Sequence, residues 1–349
     1  MPKVLQVLHS DENSGVETLA AMIGRDLAAA GADVETYFLY PSFSAGKAAK
    51  LLGVARGLRH IIGARPDMIL TYQATASVLA GIAGRVLGCR LRVVHQTAKP
   101  SATHPVSRWL DRAAGANGFY TANIANSQAT LAEFSSYPDR YKKRMRLIEH
   151  GVTPPRPRAS RATTLARYQV PDDGAILFNA GRLNEQKAQQ HIIRVLPMLP
   201  QARLVLAGGG ALEETYRTLA KSLGVADRVH FLGYVTRADV GDLLGAADAF
   251  VFPSVWETFG LAIVEAAMLG LPVVCTDLPV LREVMSVDGA SIARFVTPED
   301  TPSLAAAIAD ALKPGEASKA QDFAPGLQAK YSEERMFAAY RAILWPPQA

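Results

Sequence analysis

The sequence predicts two α/β domains in tandem, each built on a doubly wound parallel sheet. Short β-branched runs, polar or glycine-rich turns and longer stretches with helical spacing alternate along the chain, which is typical of parallel strands joined by crossover helices. A length of 349 residues allows about two domains. The proline-rich stretch GVTPPRPRAS, at 151–160, separates two such series and is poorly suited to a helix or a central strand.

Six strands are predicted before this stretch and five after it. The predicted strands are 3–9, 33–39, 68–72, 92–95, 122–127 and 146–150, then 175–181, 203–208, 228–233, 249–254 and 272–276. Helical stretches such as 15–31 fill the intervals. We therefore assign residues 1–155 to an N-terminal domain and 156–330 to a C-terminal domain. Residues 331–349 form a terminal segment whose helix, 332–345, ends at a Pro-Pro pair, and we expect it to pack back toward the first domain.

Composition and charge narrow the class of protein. Hydrophobic residues make up 49% of the chain and charged residues 20%, as in a globular protein with substantial cores. Residues 1–155 hold 18 Lys and Arg against 11 Asp and Glu, whereas 156–349 hold 19 against 21. The basic clusters at 90–92 and 140–146 suit anionic lipid headgroups, nucleic acid or plain solvent. No zinc-finger spacing, basic helix with heptads or aromatic-interleaved basic stripe occurs, so no nucleic-acid partner is predicted.

The cysteines and apolar segments indicate a cytoplasmic protein. Cys89 and Cys275 each lie among apolar neighbours, which predicts two buried free thiols and no disulfide. The N-terminal apolar run is too short for a signal peptide. The apolar stretch 74–91 is interrupted by Arg85 and several glycines and falls short of the roughly 20 residues that a membrane span needs.

Loops that follow strands are the places to look for a site, because open α/β sheets bind ligands beyond the carboxyl ends of their strands. We expect the two domains to face each other across a cleft. The loop RLNEQK after strand 175–181 carries Arg182 and Lys187 close to a helix start, where cations oppose the helix dipole unless an anion is also present. Two interpretations stay open: an anion site, or two solvated surface charges.

The stretch VWETFGLAIVE at 255–265 places two glutamates around a turn. A helix is predicted to begin near Phe259 or Gly260, so the backbone N–H groups of Thr258, Phe259 and Gly260 would form an anion-binding nest. Glu257 and Glu265 would then accept hydrogen bonds from paired hydroxyls, as a ribose and a hexose offer. The alternative is a solvated helix residue and a simple N-terminal charge.

Other positions give less specific patterns. Gly208 opens the turn LAGGGALEE, which does not fit G-x-G-x-x-G because Glu213 stands where the third glycine belongs. Ser14 and Gly15 start a helix after the first strand and suit either a phosphate or a tight structural turn. His95 ends a strand and faces the expected cleft, as a structural or a functional residue.

Several reaction classes lack their motifs. The chain has no D-x-D, no His/Cys/Asp cluster with metal-ligand spacing, no G-x-S-x-G elbow and no Walker lysine loop. Hydrolase and P-loop functions are therefore disfavoured, and no metal site is predicted. A bound diphosphate would have to be neutralised by Arg182, Lys187 and backbone amides.

Taken together, these segments resemble a known family. GRLNEQK, LVLAGGG, VHFLGYV, ADAFVFPSVWETFGLAIVEAAMLGLPVVCTD and the earlier SGVETLA follow the order and spacing of retaining GT-B glycosyltransferases of glycosyltransferase family 4, also called glycosyl transferases group 1. The resemblance spans most of the chain, more loosely in the first half. It implies the GT-B fold: two Rossmann-like doubly wound parallel-sheet domains facing across a cleft. The first would bind the acceptor and the second the nucleotide-sugar donor.

The resemblance also implies a role for each matching position. Arg182 and Lys187 would hold the donor diphosphate, Glu265 the ribose, and Glu257 with the amides of 258–260 the sugar and its phosphate. Tyr234 and Val235 would lie near the base, and His95 beside the sugar. The predicted catalytic residues are His95, Arg182, Lys187 and Glu257. The predicted nucleotide-sugar-binding residues are Ser14, Gly15, Gly208, Tyr234, Val235, Thr258, Phe259, Gly260 and Glu265.

Two positions depart from the pattern of the family. Many relatives have Gly-Gly where this chain has Ser14-Gly15, and Asn-Gly-Val-Asp where it has HGVT at 150–153. The first difference puts the fit of that loop to the sugar or phosphate in doubt. The second leaves the hinge-side contacts open.

The expected activity is retaining, metal-independent transfer of a sugar from a nucleoside diphosphate sugar to an acceptor hydroxyl. The donor is a co-substrate, and no cofactor is expected. The expected acceptor is a glycan or a lipid-linked molecule in surface polysaccharide, lipopolysaccharide or glycolipid synthesis, with an anionic membrane surface on the inner face of the cell membrane as a further partner. The alternatives are an epimerase or phosphorylase on the same scaffold, and a non-catalytic nucleotide-sugar-binding protein.

Overall fold

The computed structural model describes residues 1–10, 15–42 and 46–345. The chain divides into two compact units. Unit 1 comprises Met1–Gly151 and Glu333–Ala349, and unit 2 comprises Val152–Ser332. The boundaries expected from the sequence, after residues 155 and 330, lie within four residues of these, and the final helix belongs to unit 1.

The strands and helices alternate along the chain. The strands are β1 (Lys3–Leu8), β2 (Asp33–Phe38), β3 (Met68–Thr71), β4 (Leu91–His95), β5 (Ala122–Ala125), β6 (Met145–Leu147), β7 (Ala175–Ala180), β8 (Ala202–Ala207), β9 (Val229–Gly233), β10 (Ala249–Phe252), β11 (Val273–Thr276) and β12 (Arg294–Val296). The helices are α1 (Gly15–Ala29), α2 (Lys47–Ala64), α3 (Ala74–Val86), α4 (Pro105–Ala116), α5 (Gln128–Ala132), α6 (Asp139–Lys142), α7 (Arg161–Arg167), α8 (Gln190–Val195), α9 (Glu213–Ser222), α10 (Arg237–Ala246), α11 (Leu261–Met268), α12 (Pro279–Val284), α13 (Thr301–Ala311), α14 (Glu316–Lys330) and α15 (Glu333–Leu344). Short 3₁₀ turns occur at Pro100–Ala102, Leu196–Met198 and Ala226–Arg228.

Unit 1 is a parallel sheet with the strand order β2-β1-β3-β4-β5-β6 over the described residues. Its central strands β3 and β5 are buried along their whole length, as expected where helices cover both faces of a parallel sheet. The helix α15 contributes Met336, Tyr340 and Leu344, spaced one turn apart, to the core that also contains Val4 and Leu70. This periodic apolar face explains why the last helix joins unit 1.

Unit 2 is a second parallel sheet, with the order β12-β11-β10-β7-β8-β9 in the part of the chain that the structure covers. Each strand predicted for it is present. The additional strand β12 is only three residues long and half-buried at the sheet edge, so it lacks the apolar run by which the others are recognised in the sequence. Because β7 pairs with β8 on one side and β10 on the other, the strand order reverses between β7 and β10.

An ion-pair network joins the start of unit 2 to its helices. The side chain of Asp242, on α10, is fully buried and accepts hydrogen bonds from the backbone N–H of Arg158 at 2.6 Å and from its guanidinium at 2.8 Å. Arg167, at the end of α7, adds a contact of 3.3 Å. The hydrogen bonds from Arg158 lower the pKa of Asp242 to about 2. The residues after the proline-rich stretch are thereby fixed to the second sheet.

Candidate functional site

The loops that follow β7 and β10 leave the sheet of unit 2 where its strand order reverses. Ligands of open α/β sheets bind at such switch points, beyond the carboxyl ends of the strands. The loop after β7 carries Arg182 and Lys187, and the loop after β10 carries Glu257 and leads into α11. Topology therefore brings these three predicted residues to one edge of the sheet.

Three side-by-side interactions join the two loops. The N–H of Val255 donates to the carbonyl of Gln186 at 2.8 Å, and Nε2 of Gln186 donates to the carbonyl of Trp256 at 3.1 Å. Next to them, Nζ of Lys187 lies 2.5 Å from Oε1 of Glu257. The two loops thus form one structural element.

Hydrogen bonds from Asn and Gln side chains fix β7 and the loop that follows it. Nδ2 of Asn179 donates to the carbonyl of Val251 at 2.7 Å, and Nε2 of Gln189 donates to the carbonyl of Arg182 at 3.1 Å. Oδ1 of Asn184 accepts from the N–H of Lys187 at 3.0 Å. The sequence analysis missed these positioning residues, because a single Asn or Gln in an apolar run gives no pattern that identifies its partner.

The two predicted cations have different surroundings. The Lys187 side chain is 19% exposed, pairs with the 8% exposed Glu257 side chain, and lies with Nζ 4.7 Å from the ring centre of Phe252. Arg182 is exposed, and its guanidinium makes no hydrogen bond or ion pair with any described residue. Arg182 is therefore available to an anion, whereas Lys187 is already neutralised by a partner within the chain.

The glycine-rich turn after β8 packs directly on the loop that carries Arg182. A β-carbon at Gly208 would lie 2.2 Å from the carbonyl oxygen of Gly181, and one at Gly210 would lie 2.3 Å from that of Leu183. Gly208 also has a φ of +130°, which disfavours other residues. These contacts give the glycines a structural reason, and the role of Gly208 in nucleotide-sugar binding stays a prediction.

The helix α11 begins at Leu261, directly after a left-handed Gly260 with a φ of +91°. This start lies within two residues of the one expected from the sequence. Thr258 and Phe259 are both buried, and the Phe259 ring meets that of Tyr331 edge-on at 5.1 Å. The turn that precedes the helix is therefore anchored in the core of unit 2.

Glu265 has a cationic partner that the sequence analysis did not identify. Oε1 of Glu265 lies 3.0 Å from Nη2 of Arg237, the first residue of α10. Burial raises the pKa of Glu265 above its ordinary value, and the charge of Arg237 offsets part of this rise. A cation at a helix start was the signal that drew attention to Arg182 and Lys187, and it also applies to Arg237.

Tyr234 presents an open aromatic surface on the loop between β9 and α10. It is 77% exposed, and its ring lies against the glycine-rich turn, since a β-carbon at Gly209 would come within 2.8 Å of Cε2. The adjacent Val235 is half-buried. A flat ring held against backbone in this way is a surface on which another ring can stack.

In unit 1, the predicted residue His95 lies inside the core. His95, at the end of β4, is buried between Tyr72, stacked at 4.3 Å, and Tyr340 of α15 at 5.6 Å. Its Nδ1 lies 2.7 Å from the carbonyl of Thr71, so Nδ1 carries a proton, and Nε2 has no hydrogen-bond partner in the described chain. Burial lowers the pKa of His95 to about 4, which leaves the ring neutral at pH 7. The structure thus encloses a side chain that the sequence analysis expected to face a ligand, and its catalytic role stays a prediction.

Of the other predicted features of unit 1, Gly15 and the basic stretch 90–92 lie in the described residues. Gly15 is the exposed first residue of α1, and Ser14 lies outside the described residues. Of the basic stretch 90–92, Arg92 is buried and donates from Nε to the carbonyl of Phe119 at 2.7 Å. Arg90 is exposed, so only one of the two cations of this stretch faces solvent.

Among the described residues, no group of three or more His, Cys, Asp and Glu side chains could hold a metal ion. No helix in the same ranges has both the length and the apolar character needed to cross a membrane.

Comparison with known proteins identifies the family to which the second part of the chain is related. Residues 160–324 match the family model Glycosyl transferases group 1. The match takes up just under half of the chain, lies within unit 2 and contains Arg182, Lys187, Glu257 and Glu265. The similarity to this family therefore lies in unit 2, which carries the two joined loops.

Individual relatives agree with this match. The D-inositol 3-phosphate glycosyltransferase of Mycolicibacterium smegmatis is 33% identical over 178 residues, which is 48% of this chain and 40% of that protein. The alpha-D-kanosaminyltransferase of Streptomyces kanamyceticus is 24% identical over 336 residues, covering 89% of this chain and 86% of that one. For two of the curated relatives that it matches, including the protein of M. smegmatis, the chain spans only 35–40% of their length.

Solved structures show the fold. Anabaena HepE, determined in complex with UDP and glucose, has a TM-score of 0.83 and 22% identity, with 99% of both chains covered. This likeness confirms the predicted fold class, two Rossmann-like parallel-sheet domains of the GT-B type.

Proposed function

We propose that the protein is a retaining glycosyltransferase that moves a sugar from a nucleoside diphosphate sugar to an acceptor hydroxyl. One observation carries the proposal. Arg182, Lys187, Glu257 and the start of α11 lie on two joined loops at the switch point of the unit 2 sheet. This unit contains the segment that matches Glycosyl transferases group 1.

The electrostatics of the loops suit a diphosphate. Arg182 contributes an exposed cation without an internal partner, and the turn of 258–260 leads into the positive end of α11. Negative charge grows on the diphosphate as the glycosidic bond breaks, so groups placed in advance stabilise the transition state more than the bound donor. Lys187 would share its charge between Glu257 and the phosphate.

The other predicted residues suit the rest of a nucleotide sugar. The carboxylate of Glu265, held by Arg237 and poorly solvated, would accept hydrogen bonds from the two ribose hydroxyls. The exposed ring of Tyr234, beside Val235, would stack on the base, next to the glycine-rich turn at Gly208. Glu257 and the amides of 258–260 would hold the transferred sugar and its phosphate.

In unit 1 we propose the acceptor site, and the roles of Ser14 and Gly15 at a phosphate or sugar stay predictions. His95 is neutral, and its Nε2 carries a lone pair, so it would accept a hydrogen bond from a sugar hydroxyl rather than donate a proton. For Nε2 to reach a sugar, the packing around the ring would have to open. His95 is therefore the predicted catalytic residue to which the structure gives the least support.

The reaction is proposed to proceed with retention and without a metal. The acceptor oxygen bonds to the anomeric carbon while the bond from that carbon to the diphosphate oxygen breaks, and the diphosphate takes the proton of the acceptor hydroxyl. This sequence needs no carboxylate nucleophile. The rate then depends mainly on electrostatic stabilisation of the transition state. Loss of one hydrogen-bond donor in such a site lowers the rate about 10²- to 10³-fold.

The acceptor is proposed to be a glycan or lipid-linked molecule in cytoplasmic assembly of surface polysaccharide, lipopolysaccharide or glycolipid. The support is analogy, since the related proteins include an inositol 3-phosphate glycosyltransferase and a kanosaminyltransferase. The donor base is equally a matter of analogy, and HepE binds UDP.

A thermal-shift screen tests donor binding first. A ligand that binds only the folded state raises the Tm, and UDP-, GDP-, ADP- and dTDP-sugars are compared at equal concentration. We expect one base to stabilise the protein clearly. The best donor, radiolabelled in the sugar, is then incubated with candidate acceptors, and release of nucleoside diphosphate with a labelled glycoside is expected.

The matched variants are Arg182→Ala and Arg194→Ala. Both remove one exposed arginine from unit 2, but Arg194 lies on α8 and carries no role in the proposed site. Arg182→Ala should lower kcat/KM about 10²- to 10³-fold and leave the Tm of the free protein nearly unchanged. Equal activity of wild type and Arg182→Ala would reject the assignment. An epimerised sugar, phosphate-dependent cleavage, or donor binding without turnover across acceptors would favour the alternative functions.

A further inference from the structure

Exposed apolar side chains are concentrated in one region of unit 1. Of the fourteen large apolar residues that are exposed in the described chain, ten lie on α2, on α3 with its capping residue, or on α4. The helix α3 packs against both α2 and α4, so the three helices are neighbours. We call their solvent-facing side the α2–α4 face.

The helix α2 exposes several large apolar side chains in addition to the buried Ile61. Leu51, Leu58 and Ile62 recur at helical spacing on the exposed side, and Leu51 is 73% exposed. The buried side of the same helix carries Gly53, Gly57 and Ile61. A β-carbon at Gly53 would lie 2.2 Å from the carbonyl of Leu39, and one at Gly57 would lie 2.4 Å from the Leu39 side chain. Close packing on Leu39 thus fixes α2 to unit 1, while Leu51, Leu58 and Ile62 stay exposed among the described residues.

The neighbouring helices extend this surface. Val86, at the end of α3, is 80% exposed. On α4, Trp109 is 66% exposed and stands with Val106 and Leu110 on one exposed side. Exposed large apolar side chains concentrated on neighbouring helices indicate an interaction site.

The charges on the α2–α4 face have one sign. The three helices carry seven Lys and Arg side chains, four of them on α2, which has no Asp or Glu. Their single carboxylate, Asp111, is buried and accepts hydrogen bonds from Tyr141 at 2.7 Å and Tyr120 at 2.9 Å. At the border, the helix α6 packs against α4 and carries Arg140 and Lys142, followed by Lys143, while its Asp139 pairs with Lys142 at 3.0 Å.

These observations select the partner. A second copy of the chain, meeting this face with the same face, would place basic side chains opposite basic side chains. An anionic lipid surface instead complements the charge, and it takes up single projecting apolar side chains and an interfacial tryptophan without needing a groove. We propose that the α2–α4 face docks unit 1 on a bilayer that contains anionic lipid.

The proposal corrects the location that the sequence suggested for membrane contact. The basic cluster at 140–146 only borders the face, and in 90–92 the guanidinium of Arg92 is occupied inside unit 1. The docking surface is defined by apolar exposure on α2, α3 and α4, which sequence periodicity alone does not distinguish from a core-facing stripe. Its test needs no sugar donor, so its failure and the failure of the proposed function are separate results.

Sedimentation with vesicles measures the docking directly. The full chain is mixed with phosphatidylcholine vesicles that contain 0 or about 30% phosphatidylglycerol. We expect binding only to the anionic vesicles, and weaker binding as salt is raised. Arg56→Glu/Arg59→Glu, on α2, should weaken binding at least about tenfold. The control Arg194→Glu/Lys221→Glu makes the same change in net charge on exposed residues of unit 2 and should bind like the wild type.

Tryptophan quenching tests the apolar part of the face. Vesicles of the same charge made with brominated acyl chains should quench the fluorescence of the wild type and of Trp345→Phe, but quench Trp109→Phe far less. Trp109→Ser should weaken sedimentation about tenfold, and Met198→Ser, which removes an exposed apolar residue of unit 2, should not. Binding independent of anionic lipid, equal loss in both charge-reversal variants, or self-association that Trp109→Ser abolishes would overturn the proposal.

Discussion

The pair Lys187–Glu257 offers a quantitative test of the site. Its atoms lie 2.5 Å apart, and both side chains are largely removed from water. At an effective dielectric constant of about 20 the attraction is about 7 kcal/mol, and desolvation of the two ions offsets several kcal/mol of it. The net worth of the pair is therefore small, whereas removal of one partner leaves a charge uncompensated.

The predicted costs follow from the exposure of each partner. Lys187→Met keeps the stem of the side chain against Phe252 but leaves the 8% exposed Glu257 unpaired, which should cost about 3 kcal/mol, the lower end of the range for buried pairs. Glu257→Gln leaves the more exposed Lys187 unpaired and should cost about 2 kcal/mol. The double variant has no orphaned charge. Its cost should be no more than about 2 kcal/mol, which gives a coupling energy of about 3 kcal/mol.

Urea unfolding of unit 2 measures these values. The chain has three tryptophans, of which Trp109 and Trp345 belong to unit 1 and Trp256 to unit 2. In a Trp109→Phe/Trp345→Phe background the fluorescence of Trp256 reports unit 2 alone. If the summed costs of the two single variants equal the cost of the double variant within about 0.5 kcal/mol, the two side chains do not interact in the folded protein.

Three further predictions concern the frame of the site and its chemistry. Gly208→Ala should destabilise unit 2 by about 2–4 kcal/mol, because the added β-carbon would clash with Gly181. The control Gly224→Ala also has a positive φ but open space around it, and it should cost about 1 kcal/mol in the same urea assay. Equal costs of the two variants would exclude the clash. The low pKa of Asp242 stabilises unit 2 above pH 4, and this stabilisation is lost as the pH falls toward 2. Asp242→Asn should therefore lower the free energy of unfolding by about 1–3 kcal/mol at pH 7 and by little at pH 2. An equal loss at both pH values would contradict the ion-pair network. EDTA treatment should leave the initial rate of sugar transfer unchanged if the mechanism is metal-independent, and restoration of a lost rate by Mg²⁺ or Mn²⁺ would refute that part.

Much of the fold could be predicted because its signals are local. β-branched runs between glycine-rich turns identify β7, β8 and β10, and three prolines mark the junction near residue 155. The short edge strand β12 was missed because three residues carry too little pattern. The membership of α15 in unit 1 agrees with the expectation that the last helix packs back toward the first domain, although no local pattern names the residues that it contacts.

The site could be predicted in part for the same reason. Arg182, Lys187 and Glu257 stand on loops after predicted strands, so topology alone brings them together. Arg237 and Asn179 depend on side-chain contacts across elements, which sequence spacing does not encode. The enclosure of His95 depends on Tyr340, which lies 245 residues further along the chain.

Calorimetric titration of a nucleoside diphosphate into wild type and Arg182→Ala tests the central claim most directly. The loops after β7 and β10 are proposed to bind the diphosphate through the exposed guanidinium of Arg182. We predict saturable binding to the wild type and to Arg194→Ala, and at least about tenfold weaker binding to Arg182→Ala. Equal affinity of all three proteins, or no binding to the wild type by any of the four nucleoside diphosphates, would contradict the account.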